Sequence, residues 1–197
     1  MAPYFETVKS FADVPISEHG IDTQSFLEAS YGLVQMFDLL GSGVFGFVQS
    51  DIRSNIAGVR NRFEAAREVS GTLELLVRDE SKEHHKHGTP CLVRLTRGLA
   101  FTCLALQNMQ SDASSELHVC FKRSYDTVLK HHHTFLIRSV VSVAIRAVPR
   151  RNDFYARIAQ GGSIEKLDAE LAKWLVGLDV LVKHISAFLE SGGHGRV

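Results

Sequence analysis

Phe47-Val48-Gln49-Ser50-Asp51-Ile52-Arg53-Ser54-Asn55-Ile56-Ala57-Gly58-Val59-Arg60-Asn61-Arg62-Phe63 is the stretch whose reading decides the fold. Its apolar residues Val48, Ile52, Ile56, Val59 and Phe63 recur every three or four positions, the period of a helix with one buried face. Helix is predicted over 47–67. The same period governs the sequence on either side, and no segment alternates apolar and polar residues long enough to make a strand. The fold class is therefore all-α.

Upstream, a helix is expected to follow Asp22, with Ser25 and Glu28 at capping-box spacing. It carries Phe26, Leu27, Leu33, Val34, Phe37 and Leu40, and Gly41 ends it. Downstream, a short helix holds Leu73, Leu76 and Val77, and the polar loop 83–88 follows. Pro90 opens a helix through Leu92, Leu95, Leu99, Cys103 and Leu106. Ser114 or Ser115 starts the next, with Leu117, Phe121, Val128 and Leu129. The most apolar segment, 135–148, is too short to span a bilayer and contains Arg138 and Arg146, so it reads as a core helix stopped by Pro149. A turn at 154–158 leads to Gly161-Gly162, and a long last helix carries Leu167, Leu171, Trp174, Leu178, Leu181, Ile185 and Phe188.

With 197 residues, 45% apolar, the chain can bury one sizeable core, and a single domain over 1–197 is expected. Lys plus Arg and Asp plus Glu both number 22, so no global field points to nucleic acid. The first residues have neither a basic nor an apolar leader segment, which argues for a cytoplasmic protein. Cys91, Cys103 and Cys120 are odd in number and lack metal or redox spacing, so they read as buried thiols.

Ten histidines raise the question of a metal, but His84, His85 and His87 sit in a polar loop. His131, His132 and His133 are consecutive and would point three ways on a helix. No metal motif and no cofactor are expected. Nor is there a nucleophile elbow. Gly161-Gly162-Ser163 reads as a helix stop followed by a serine cap rather than an anion site. Arg146, Arg150 and Arg151 read as a solvated helix end. Asp51 and Asn55 are more informative. Four residues apart, they share one helical face beside apolar neighbours, an arrangement suited to a ligand bearing hydroxyl and amide groups. That spacing by itself favours a solvated pair on the outer face.

Five blocks in order change that reading. Phe37-Asp38-Leu39-Leu40-Gly41-Ser42-Gly43-Val44-Phe45 followed by Asp51-Ile52-x-x-Asn55-Ile56 resembles the signature of the glycolipid transfer protein family. Leu95-x-Arg97-Gly98-Leu99-x-Phe101, Tyr125-x-x-x-Leu129-Lys130-x-x-His133 and Pro149-x-x-x-Asp153-Phe154 resemble it in the same register, and the opening Met1-Ala2-Pro3-Tyr4-Phe5-Glu6 is similar to the fungal heterokaryon-incompatibility (het-c) branch. The resemblance implies a two-layer sandwich of about eight helices. It also implies non-enzymatic transfer of one sphingolipid at a time, without cofactor, by a monomer that touches membranes transiently. Asp51 would bind the ceramide amide and headgroup hydroxyls, Asn55 the headgroup, and His133 the acyl carbonyl. Phe45, Val48, Phe101, Leu129, Phe135 and Phe154 would line or abut the hydrocarbon pocket.

Two positions depart from the family pattern. Gly58 stands where glycolipid carriers have a lysine, and Arg94 where they have the tryptophan on which a sugar stacks. Arginine at that place resembles carriers of ceramide-1-phosphate, because a guanidinium suits a phosphate. Those relatives, however, have a second arginine where this chain has Pro90, and a basic residue at Asn55. Glycosylceramide is the expected cargo. The alternatives are ceramide-1-phosphate held through Arg94, or a sphingolipid sensor with little transfer; Arg60 or Arg62 could stand in for the lysine.

Overall fold

A computed structural model of the chain describes residues 2–40 and 46–197. The expected helix end at Gly41 and the pocket residue Phe45 lie outside the described residues. Nine α-helices occur among them: α1 (Tyr4–Thr7), α2 (Thr23–Leu40), α3 (Gly46–Ala65), α4 (Leu73–Glu80), α5 (Gly88–Ser111), α6 (Leu117–Val128), α7 (Phe135–Arg146), α8 (Arg151–Ala159) and α9 (Ile164–Ser191). The all-α reading holds. The one-turn α1 lacks the length to show a period, and a two-residue hairpin, Ile16–Ser17 with Gly20–Ile21, is too short to show an alternation.

α5 is the axis of the molecule and packs against α3, α4, α6 and α9. Leu92, Leu95, Leu99, Cys103, Leu106 and Met109 put almost no surface in water, so this helix is buried on more than one side as its apolar circumference requires. Its N-terminus is held by Glu80, whose carboxylate accepts from the backbone N–H groups of His87, Gly88 and Thr89 and from the Thr89 hydroxyl. These bonds hold the Glu80 carboxyl below its ordinary value despite the opposing effect of burial.

Several caps differ from expectation. Asp22, not Ser25, caps α2 by accepting from Ser25 N at 2.7 Å. Asp112 takes the hydroxyls of Ser114 and Ser115 and organises the turn before α6. Ser163 caps α9 as expected. The left-handed residue after α8 is Gln160, with φ 50°, followed by Gly161 at φ 78°.

The core reading of 135–148 is overturned. Only Val141, Ala144 and Ile145 of α7 are buried, whereas Phe135 is 81% and Leu136 77% exposed, with Val140 and Val143 also in solvent. α7 sits at the margin and packs chiefly on α6, so most of its apolar circumference is left uncovered by the described residues. Trp174, by contrast, lies in the core against Phe5 and Phe11, with ring centroids 5.2 and 5.0 Å away. No helix among the described residues is long and apolar enough to cross a membrane.

Candidate lipid-binding site

A cavity of about 340 Å³ opens between α3, α5, the turn at 129–133 and α7. Its size is within the range of small-molecule sites. Val48 and Ile52 of α3, Phe101 of α5, Leu129, and Ile137 and Val141 of α7 form its apolar wall. Asp51, Arg94, Arg97, His132 and His133 also line it and form its polar part. The helical period explains this division. Val48, Asp51 and Ile52 lie on one face of α3, and Arg94, Arg97, Gly98 and Phe101 on one face of α5.

Asn55 is not on the cavity wall. It is buried, and its amide Nδ2 donates to the Asp51 carbonyl at 2.9 Å and to the Asp51 carboxylate at 3.3 Å. The two residues expected to share the headgroup are thus layered, with the amide holding the carboxylate. His133 is held in turn by Tyr125, whose hydroxyl lies 3.2 Å from Nδ1. Burial lowers the His133 pKa, assisted by Arg138 and Arg97 and opposed by the Asp51 carboxylate. The neutral imidazole is therefore favoured near neutral pH.

Val48, Phe101 and Leu129 are placed on the wall, while two expected pocket residues are not. Phe154 is fully buried in the core, and Phe135 projects into solvent beyond the cavity. The sequence reading missed Arg97, His132, Ile137 and Val141. Consecutive histidines diverge on a helix, which hides His132 from a reading of the sequence. The chain at 130–132 is instead one turn of 3₁₀ helix leading to extended backbone at His133, and both His132 and His133 reach the cavity. His132 Nε2 is buried without a hydrogen-bond partner among the described residues, and burial, then Arg97, lower its pKa. Arg97 Nε and a terminal nitrogen donate to the Arg196 carbonyl, so the end of the chain is fastened beside the polar part.

Geometry also explains Gly58. One turn beyond Asn55, α3 crosses α5 so closely that a Cβ at 58 would overlap Cys91 Sγ and stand 2.9 Å from its Cβ. No side chain of any length fits there without moving the helices. Neither arginine nearby replaces a lysine. Arg62 is committed to Asp79 at 2.5 Å and Glu83 at 2.6 Å, and Arg60 is exposed and does not line the cavity. Among the described residues no group of three or more His, Cys, Asp or Glu is placed to hold a metal. The three cysteines are buried and unpaired, and burial pushes their thiols up, to about 12 for Cys103. They are poor nucleophiles.

An all-α fold around a cavity that is apolar along one wall and charged along another defines a binder of amphiphiles. Comparison with known proteins makes the class specific. The family described as Glycolipid transfer protein (GLTP) matches residues 21–160. The glycolipid transfer protein of Aureobasidium melanogenum is 40% identical over 189 residues, 95% of this chain and 93% of that one. The crystal structure of HET-C2, a fungal glycolipid transfer protein, superposes with a TM-score of 0.90 at 41% identity, covering 95% of this chain and 96% of the other. The mouse ceramide-1-phosphate transfer protein shares the fold at 20% identity, with a TM-score of 0.86 and 98% of each chain covered. The chain belongs to the glycolipid transfer protein family, a family of lipid transfer proteins.

Proposed function

We propose that this protein carries one sphingolipid at a time between membranes, with glycosylceramide as cargo, and makes or breaks no bond in it. The observation that carries the proposal is the layered grip at the polar part of an otherwise apolar cavity: Asn55 holds Asp51, and Tyr125 holds His133. Asp51 accepts from the ceramide N–H and headgroup hydroxyls. With the Tyr125 hydroxyl donating to Nδ1, the neutral His133 ring carries its proton on Nε2, ready for an amide carbonyl. Asn55 acts as a positioning residue. The hydrocarbon passes along Val48, Phe101, Leu129, Ile137 and Val141. Each methylene left in water costs ~0.8 kcal/mol, so a long chain needs such a wall. Residues 1–197 act as one unit in this reading.

Phe135, Leu136, Val140 and Val143 fit a membrane-facing surface, because the same helix contributes Ile137 and Val141 to the cavity. A cytoplasmic carrier touching membranes transiently is the accompanying proposal. Three buried, unpaired thiols suit a reducing compartment. A second reading, ceramide-1-phosphate as cargo, is favoured by one observation: Arg94 and Arg97 both reach the cavity wall, where guanidinium groups suit a phosphate.

The test is transfer of fluorescent galactosylceramide and of ceramide-1-phosphate between vesicles. Galactosylceramide should move faster, and Asp51→Val should abolish its transfer while helicity is retained. Loss of hydrogen bonds to a charged group, worth about 1.5–3 kcal/mol, corresponds to a weakening of roughly tenfold or more. Arg94→Trp should raise glycolipid transfer. Wild-type transfer by Asp51→Val would remove the assignment, and tight binding without movement of either lipid would make the protein a sensor.

A further inference from the structure

A second cavity, of about 410 Å³, lies between α6 and α7 and shares no lining residue with the lipid site. Lys122, Lys130, Arg138 and Arg146 line it together with a single carboxylate, Asp126. Both lysines are anchored on that carboxylate, Lys130 at 2.9 Å. Among the described residues Arg138 spends only its Nε, on the carbonyls of Lys130 and His133 at 2.9 Å each, and Arg146 has no ion-pair partner. The cleft therefore carries an excess of three positive charges, two of them on guanidinium groups whose forked donors match the oxygens of a phosphate. Arg138, Ser142 and Arg146 are spaced four apart, so they form one stripe along α7 facing Lys122 of α6 and Lys130 of the turn that follows it.

We infer that this cleft is a binding site for a phosphate monoester, separate from the sphingolipid site. Arg138 and Arg146 clasp the phosphate oxygens from α7, Lys122 and Lys130 supply charge from the opposite wall, and the Ser142 hydroxyl offers a neutral donor. Leu136, Val140 and Val143 form a different, solvent-exposed stripe of the same helix. A monoester headgroup at an apolar surface and free phosphate present the same chemistry to the cleft. The inference does not depend on the identity of the transferred lipid. The cleft does touch the lipid site through one residue, because Tyr125 lines it while its hydroxyl meets His133.

The test uses the full chain. Its cosedimentation is measured with vesicles of phosphatidylcholine alone and with added phosphatidic acid, and inorganic phosphate is titrated while the amide resonances of α6 and α7 are followed. Arg146→Gln and Arg146→Glu are compared with Arg150→Glu, which makes the same charge reversal at an exposed residue outside the cleft. Phosphatidic acid should increase binding. Removing the Arg146 charge should reduce that gain about fivefold, and Arg150→Glu should leave most of it. Saturable shifts with inorganic phosphate, together with competition against the vesicles, would assign the cleft to the free anion as well. Vesicle binding without response to phosphate would assign it to the headgroup at a surface. Equal losses in the Arg146 and Arg150 variants, or no response to either probe, would overturn the inference. Sedimentation reads this without any lipid transfer, so a failure of the carrier reading leaves the result interpretable.

Discussion

Two helices in this molecule are apolar around much of their circumference, and they have opposite surroundings. α5 is enclosed by four other helices, and its leucines are shielded from water. α7 leans on α6, shows Phe135, Leu136, Val140 and Val143 to solvent, and turns only Val141, Ala144 and Ile145 inward. Hydropathy treats the two alike. The difference teaches that apolar surface on all sides demands an apolar environment without saying whether protein supplies it. In α5 protein does. In α7 half of it is left over, next to a cavity and a cationic cleft, and under the proposed function a lipid surface would meet that demand.

Replacing a core leucine is the strongest way to break this contrast. Leu99→Ala, at a position 1% exposed, should lower unfolding free energy by about 2–5 kcal/mol in chemical denaturation. Leu136→Ala, the same chemical change at 77% exposure, should stay within about 0.5 kcal/mol. Comparable losses at the two sites would mean that α7 is packed in solution.

The crossing of α3 on α5 comes next. Gly58→Ala should cost about 1–3 kcal/mol, because the added methyl meets Cys91 and neither helix can yield freely. Gly98→Ala offers the contrast. Its Cβ would lie 3.9 Å from Ile52 Cγ1, an ordinary contact, so stability should change little while the cavity wall it lines is built up. A smaller effect follows for the outer face of α7. Phe135→Ser with Leu136→Ser should weaken binding to neutral vesicles roughly tenfold or more, each lost methylene being worth ~0.8 kcal/mol, with the denaturation midpoint unchanged. Unaltered vesicle binding would leave that face without a partner.

Much of this was legible in the residues. The period of Val48, Ile52 and Ile56 gave α3 its buried face, and Pro90 and Ser163 marked helix starts that the structure bears out closely. The family blocks point to Asp51 and His133, and the departure from their pattern points to Arg94; all three reach one cavity. The residues that escaped did so for physical reasons. Asn55 shares a face with Asp51, but a face spans enough arc for one side chain to point outward and its neighbour to be buried beneath it. His132 was hidden because helical geometry was assumed for a segment that makes a 3₁₀ turn. Phe135 lies beyond the cavity lining because a family position fixes sequence register, whereas the direction of a side chain at the first turn of α7 depends on how that helix leans. Gly58, an oddity in sequence, becomes a packing requirement once Cys91 is seen against it.

The turn that leads into α7 supplies the mildest contrast with the core, and pH reads it. His133 and His132 both have pKa values lowered from the ordinary histidine value of 6.5, chiefly by burial. The unfolded chain therefore binds their protons first as pH falls. Between 6.5 and the lower folded values it holds more protons than the folded chain, so folding stability decreases with acidification across that window and is fully present above it. His133→Gln should flatten this acid limb modestly, since the group is only partly buried and solvent weakens the effect, and should leave the neutral-pH plateau near its original height. Denaturant titrations stepped from pH 7.5 to 5 would measure it. The Leu99→Ala protein should show the same slope as wild type on a lower plateau, because the core change does not touch the titrating rings. An acid limb unchanged in His133→Gln would assign the proton uptake to other groups and make the turn at 130–133 as insensitive to pH as the α5 core.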